Sequence, residues 1–365
     1  MKFGVNFFPV VDPAEKSAST YYDESLRLVE LAESLDFEHV QTVEHYGSPY
    51  GGYSPDPVVF LTAAAARTSR IRLVTGAVIA SFAHPVQTAA RLALLDNLSH
   101  GRLDVGFGRG FLPDEFELFG VSMEESRARF TEVVDACTAL WSGEEVRFEG
   151  EVHRFGPVTG FPPPYQRPHP PVFVASATSA ESCAMAGARG HHLQVVPSVT
   201  SREQLIGMTA AYHAARSAAG HEGPGRVQIK YTCYLGEDRE VALADARANE
   251  RNYVDTMAGA VASWANARSG QYPGYEKFVE KARAYDFDQA LADHKVLAGT
   301  PAEVRAQIET IRGWYGSEIC LSLQFNPGHV PYERAERAME LFASEVAPSF
   351  TRSHDGASMP AAAAA

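Results

Sequence analysis

Two places in this sequence hold side chains whose type and setting could do chemistry. Arg109 lies between Gly108 and Gly110, directly after the β-rich run 103–107. An arginine flanked by glycines at a strand end presents a fork of donors beside accessible backbone N–H groups, which suits phosphate. The plainer reading is a surface ion-pair partner between two turns. His45 follows Glu44 at the end of a short β-rich run, 40–43. Imidazole titrates near neutrality, which suits it to proton transfer; the plainer reading is a hydrogen-bonded structural histidine. His84, in Ala83-His84-Pro85-Val86, precedes a proline in a tight loop and reads as structural. His191 and His192 are neighbours in a strand and so face opposite sides, which argues against a metal site. No metal is expected.

These residues need elements to position them. β-rich runs occur at 3–8, 40–43, 72–79, 103–107, 172–175, 193–196, 227–235 and 319–325. Most are followed by an apolar pattern of helical period, as at 21–35, 58–68, 86–98 and 204–219. The rhythm breaks at 145–155, which alternates in the β manner around Gly150 and reads as a hairpin insertion. The stretch 111–120 reads as a loop. Periodicity is poor from Asn266 to Val296, with Gly270, Pro273 and Gly274; we expect a mobile insertion there, able to act as a lid. Thr300 and Glu303 form a capping-box pattern for a helix over 301–315. Eight repeated βα units close into an α/β TIM (β/α)8 barrel, with the hairpin after the fourth unit and the mobile insertion before the last helix–strand pair. An open doubly wound sheet is disfavoured because no Gly-x-Gly-x-x-Gly follows the first strand. Residues 1–350 form a single domain in this reading, and 351–365, ending in five alanines, form a disordered tail. A barrel displays its site at the C-terminal ends of its strands, where both His45 and Arg109 fall.

Composition narrows the partners. The chain has 365 residues, 45% hydrophobic and 21% charged, enough for a large core. A net charge of −13 argues against nucleic-acid and anionic-membrane partners. Cys137, Cys183, Cys233 and Cys320 are scattered through apolar stretches and read as core residues of a reduced, cytoplasmic protein. The sequence runs directly into a strand pattern without a signal-peptide pattern, and no apolar run approaches the length of a membrane span.

Taken together, Glu44-His45, Thr75-Gly76-Ala77, Ala83-His84-Pro85-Val86, Leu94-Leu95-Asp96, Ser99-x-Gly101-Arg102, Gly108-Arg109-Gly110 and Phe119-Gly120 resemble the luciferase-like monooxygenase family, which includes the bacterial luciferase subunits. The likeness continues through Ser126-Arg127-Ala128, 171–177, Glu181-Ser182, Gly299-Thr300-Pro301 and the 341–348 segment, nearly the whole chain. It implies a barrel enzyme that uses reduced FMN as co-substrate, and dioxygen, to oxidise a small organic substrate through a 4a-hydroperoxyflavin. A separate flavin reductase would supply the flavin. His45 matches a catalytic position. Arg109, Gly110, Phe111, Arg127 and the loop and helix start Ser176, Ala177, Thr178, Glu181 and Ser182 would bind the cofactor, chiefly its phosphate. Gly76 and Ala77 would lie beneath the flavin ring, joined by a cis peptide bond, with little side chain so that the ring can approach. Gly108 departs from luciferase-type subunits that carry cysteine there, which argues against a light-emitting role. The resemblance also admits a deazaflavin-dependent dehydrogenase, or a non-catalytic flavin-binding subunit; the presence of both His45 and Arg109 speaks against the latter. A homodimer, or a heterodimer with a related chain, is expected because the helices at 58–68 and 86–98 carry few charges for an outer face.

Overall fold

Apolar and polar residues alternate along most of the strands, and that alternation sets the architecture. In β1 (Lys2–Phe7), Phe3, Val5 and Phe7 face one way while Gly4 and Asn6 face the other. The computed structural model describes residues 1–351; most of the expected tail, from 352 on, lies outside the described residues. After β1 come β2 (His39–Thr42), β3 (Arg72–Thr75), β4 (Val78–Ile79) and β5 (Leu103–Gly108). A separate antiparallel hairpin, β6 (Glu145–Glu149) and β7 (Arg154–Thr159), interrupts the series. Then follow β8 (Val172–Ser176), β9 (His192–Val195), β10 (Val227–Leu235), β11 (Leu297–Gly299) and β12 (Ile319–Gln324).

All barrel pairings are parallel. β1 pairs with β2 and with β12, and the chain of pairings runs through β3, β5, β8, β9 and β10 back to β12. The result is a closed eight-stranded TIM barrel, with β4 continuing the line of β3 against β5, and β11 added outside β10. The single strand expected over 72–79 is thus broken at Gly76–Ala77. Two other expectations are refined. Pro113–Leu118 is a short helix, not a loop, with Pro113 in its first turn. The 266–296 insertion contains short helices, Phe278–Arg283 and Phe287–Ala292 among them, too brief to show helical periodicity. Among the described residues no helix is long and apolar enough to cross a membrane.

The outward strand residues Val5, Val40, Leu73, Val105, Leu193 and Leu321 are buried against the surrounding helices and form the main core. The inward residues are largely polar and bond across the barrel. His39 Nε2 donates to Ser322 Oγ at 2.9 Å, and Ser322 donates to Gln41. Gln194 Nε2 donates to Gln228 Oε1 at 3.0 Å. At the N-terminal end the Asp104 carboxylate accepts from both Arg72 and Arg226, each with two nitrogens, at 2.6–2.9 Å. Burial alone would raise the Asp104 pKa, but the bonds and charges of the two guanidiniums hold it below its ordinary value.

This clamp predicts a stability effect. Asp104→Asn leaves two guanidiniums facing each other across a neutral amide. Breaking a buried pair costs about 3–5 kcal/mol, and the lower end applies here because both arginines reach solvent. The folded-state pKa is depressed, so the wild-type contribution is full above the ordinary aspartate range, declines below it, and is lost as pH falls through the lower folded-state value. Denaturant midpoints of both proteins at pH 7 and pH 3 measure this: the gap is expected at pH 7 and narrows at pH 3. Equal midpoints at pH 7 would contradict it.

Candidate active site

The polar cross-barrel layer forms the floor of a cavity of about 700 Å³ at the C-terminal ends of the strands. Its floor has two unlike sides. Asn6, Lys230 and Gln324 supply polar side chains from β1, β10 and β12. Gly76, Gly108 and Ala175 supply almost none. The Gly76–Ala77 peptide is cis, as the resemblance implies. A Cβ on Gly76 would lie 2.0 Å from Gln41 Nε2, so packing against the floor by itself requires glycine there.

Arg109, Gly110 and Phe111 all border the cavity, as does Arg127. Arg109 Nη2 donates to the Gln271 carbonyl at 2.9 Å, and its guanidinium lies 4.1 Å over the Tyr272 ring. Its Nη1 is buried and has no hydrogen-bond partner among the described residues. Arg127 Nε donates to Gln271 Oε1 at 3.1 Å. One residue of the insertion therefore spans both guanidiniums. An orphaned donor beside a second arginine fits an oxyanion such as phosphate. Ser176, Ala177, Thr178 and Ser182 line the same cavity. Ser179, which sequence reasoning did not single out, caps the helix Ala180–Ala188 by accepting from the Ser182 N–H at 3.1 Å. Glu181 does not border the cavity; its exposed carboxylate lies 3.8 Å from Arg127 Nη2.

His45 also borders the cavity, away from the two arginines in sequence but joined to Phe111 by an edge-on ring contact at 6.0 Å. Its Nδ1 lies 3.0 Å from Glu115 Oε1, and the same oxygen accepts the Tyr46 N–H at 2.9 Å. Both partners present N–H, so the carboxylate places the histidine proton on Nδ1 and leaves Nε2 with a lone pair and, among the described residues, no protein partner. Glu115 was not foreseen because its helix was read as a loop; Pro113 followed by two acidic residues was the usable signal. Glu44 accepts from Tyr46 Oη at 2.6 Å and from Ile79 N at 3.0 Å, tying β2 to β4, and burial pushes its pKa up to about 7. Phe8, Tyr50, Tyr253, Tyr275 and Phe278 add an aromatic wall to the cavity.

The sequence profile of the luciferase-like monooxygenases matches residues 1–318. The chain belongs to the luciferase-like monooxygenase family. Among its relatives is the oxygenase component of the flavin-dependent trigonelline monooxygenase of Acinetobacter baylyi, 27% identical, with 93% of this chain and 92% of that protein covered. The 4-hydroxyprotoasukamycin monooxygenase of Streptomyces nodosus subsp. asukaensis is 29% identical, with 90% and 88% covered. The crystal structure of the monooxygenase RslO1 from Streptomyces bottropensis superposes with a TM-score of 0.88 at 49% identity, covering 96% of this chain and 100% of that one. The barrel is also shared, at 22% identity and a TM-score of 0.70, with a coenzyme F420-dependent tetrahydromethanopterin reductase of Methanopyrus kandleri, covering 96% and 99%. The fold by itself therefore does not distinguish flavin from deazaflavin. The protein is an enzyme of the flavin-dependent monooxygenase class.

The dyad predicts a tautomer. In protein with 15N-labelled histidine, neutral His45 should give the nitrogen shifts of an Nδ1–H ring. Glu115→Gln, whose amide can donate as well as accept, should allow the Nε2–H form to appear. An Nε2–H ring in the wild type would show that Glu115 does not orient His45.

Proposed function

We propose that this chain is the oxygenase component of a two-component monooxygenase, taking reduced FMN from a separate flavin reductase and oxidising a small organic substrate with dioxygen. The observation that carries the reading is the buried Arg109 Nη1 without a partner, beside Arg127 at one end of the cavity. It calls for an anion, and the Ser176–Ser182 loop supplies hydroxyl and backbone donors on the same side. Reduced FMN, when bound, supplies the electrons that activate dioxygen. The residues of this chain do the rest. Arg109 and Arg127 hold the phosphate, and for Arg109 Nη2 to take part Gln271 must give way, which is the sense in which the insertion acts as a lid. The glycine and alanine side of the floor leaves room for a flat ring. The aromatic wall excludes water. His45 accepts or returns a proton at Nε2, with Glu115 steadying the charged ring. A cytoplasmic location is part of this reading.

Anaerobic titration with reduced FMN, oxidised FMN and the deazaflavin tests the cofactor. Reduced FMN should bind more tightly than the deazaflavin, and its complex should consume oxygen. Arg109→Ala should weaken reduced-FMN binding roughly tenfold or more, since a charged hydrogen bond contributes about 1.5–3 kcal/mol. His45→Ala should keep flavin binding and lose about 100-fold or more in turnover. Tight binding of the deazaflavin alone would overturn the reduced-FMN reading for this chain. An unchanged Kd in Arg109→Ala would remove that residue from the phosphate site.

The chain is also proposed to dimerise, with itself or with a related chain, through the helices Pro57–Arg67 and Pro85–Leu98. Val59, Leu94 and Leu98 on these helices are 67%, 51% and 52% exposed. Bulky apolar groups exposed together mark a covered face. Light scattering of the purified chain should give twice 39.7 kDa at micromolar concentration. Val59→Asp with Leu98→Asp should halve that mass. A single-chain mass for the wild type would contradict the homodimer.

A further inference from the structure

Lys230 stands on the cavity floor, in the middle of β10, and is partly buried. The surface it retains faces the cavity. Its ammonium donates to the Gly76 carbonyl at 2.6 Å. Among the described residues no carboxylate pairs with it, and burial alone pushes its pKa down to about 8. Two residues earlier on the same face of β10 stands the neutral Gln228, bonded to Gln194, and the neutral Asn6 and Gln324 also line the cavity. An ammonium is costly to place in such a setting without a counter-charge. Arg72 and Arg226, elsewhere in the barrel, have Asp104. Lys230 has only a dipole. A hydrophobic residue, or a glutamine like those around it, would fill this position at lower cost. The position is not structural in the ordinary sense, because a cation whose accessible surface opens only into a ligand cavity points to a ligand that brings negative charge to the floor.

The two ends of the cavity then differ in what they recognise. Arg109 and Arg127 face a phosphate, which is anionic whichever redox state the rest of the cofactor is in. Lys230 faces the part of the cofactor that lies over Gly76 and Gly108. Resting on the FMN reading above, we infer that Lys230 is the residue that makes this site select the reduced flavin, whose ring system is an anion near neutral pH, over the oxidised flavin, whose ring system is neutral. A point charge suits this role better than a guanidinium, because it can approach a single edge of the ring from below without needing a planar partner. In a two-component system such selection has a use: the oxygenase must take up the flavin while it is reduced and release it once oxidised.

The test uses the full-length protein, wild type, Lys230→Met and Lys230→Gln, titrated with oxidised FMN and, anaerobically, with reduced FMN. Methionine keeps the volume and removes both charge and donor; glutamine removes the charge and keeps a donor for the Gly76 carbonyl. Thermal unfolding of each variant checks that it is folded. The wild type should bind reduced FMN more tightly than oxidised FMN. Both variants should lose at least tenfold of that preference, with oxidised-FMN binding changed less than about threefold. The midpoint potential of bound FMN should fall correspondingly, by about 30 mV for each tenfold in a two-electron couple. Arg109→Ala serves as the contrast and should weaken both redox states alike. Retention of the preference in both variants, or equal weakening of the two redox states by them, would overturn the inference. Retention in Lys230→Gln with loss in Lys230→Met would also overturn it, because the hydrogen bond and not the charge would then be responsible. If the wild type binds neither redox state, the flavin reading falls, and this inference with it.

Discussion

Two guanidiniums and one carboxylate at the closed end of the barrel set the conditions for everything above them. Asp104 is held by Arg72 and Arg226, and this three-residue knot fills the N-terminal end of a barrel whose interior is polar. Above it each inward side chain must find a partner inside the barrel, because an unpartnered polar group there is expensive. Ser322 bonds His39 and Gln41 Oε1, and Gln228 accepts from Gln194 Nε2, while Gln41 Nε2 and Gln194 Oε1 have no partner among the described residues. These hydrogen-bonded layers continue up to Asn6 and Gln324, and there the barrel opens into the cavity. The floor is therefore stiff without being apolar.

Groups that break the pairing rule lie on this cavity and divide its labour. Arg109 keeps one nitrogen without a partner among the described residues. Lys230 keeps a charge without a counter-charge. His45 keeps a lone pair at Nε2 because Glu115 occupies Nδ1. Each incomplete interaction is held in place by a complete one: Tyr272 under Arg109, Gly76 against Lys230, Tyr46 sharing the carboxylate of Glu115. The insertion supplies several of the groups that close the site, Gln271 and Tyr272 at the arginines and Tyr275 and Phe278 in the aromatic wall. A segment whose sequence shows little periodicity thus contributes through individual side chains rather than through a face.

The barrel was readable because its apolar residues repeat with the periods of strands and helices, and seven of its eight strands needed only small adjustments of their ends. The cis peptide at Gly76–Ala77 was readable from resemblance alone, since nothing in the periodicity of 72–79 marks it. Of the site, Arg109 and His45 were found because strand ends and glycines advertise them. Glu115 was missed because a six-residue helix leaves no periodic signal. Lys230 was missed for a different reason: Gln228, Lys230 and Thr232 alternate with apolar residues, and such alternation normally means a solvated face. In a barrel with a polar interior it means the inside, and only the closure of the sheet tells the two apart. Glu181 shows the limit of carrying a motif residue by residue, for its carboxylate turns outward beside Arg127.

The central claim is that the cavity between Arg109 and the floor holds the flavin, phosphate at the arginines and ring over Gly76 and Gly108. A crystal structure of the protein soaked anaerobically with reduced FMN tests it most directly. The account predicts a phosphate oxygen within hydrogen-bond distance of Arg109 Nη1, Gln271 moved off Arg109 Nη2, and the ring lying against Gly76–Ala77 with one edge toward Lys230. Density for the flavin with its phosphate away from both arginines, or its ring outside the barrel mouth, would contradict it.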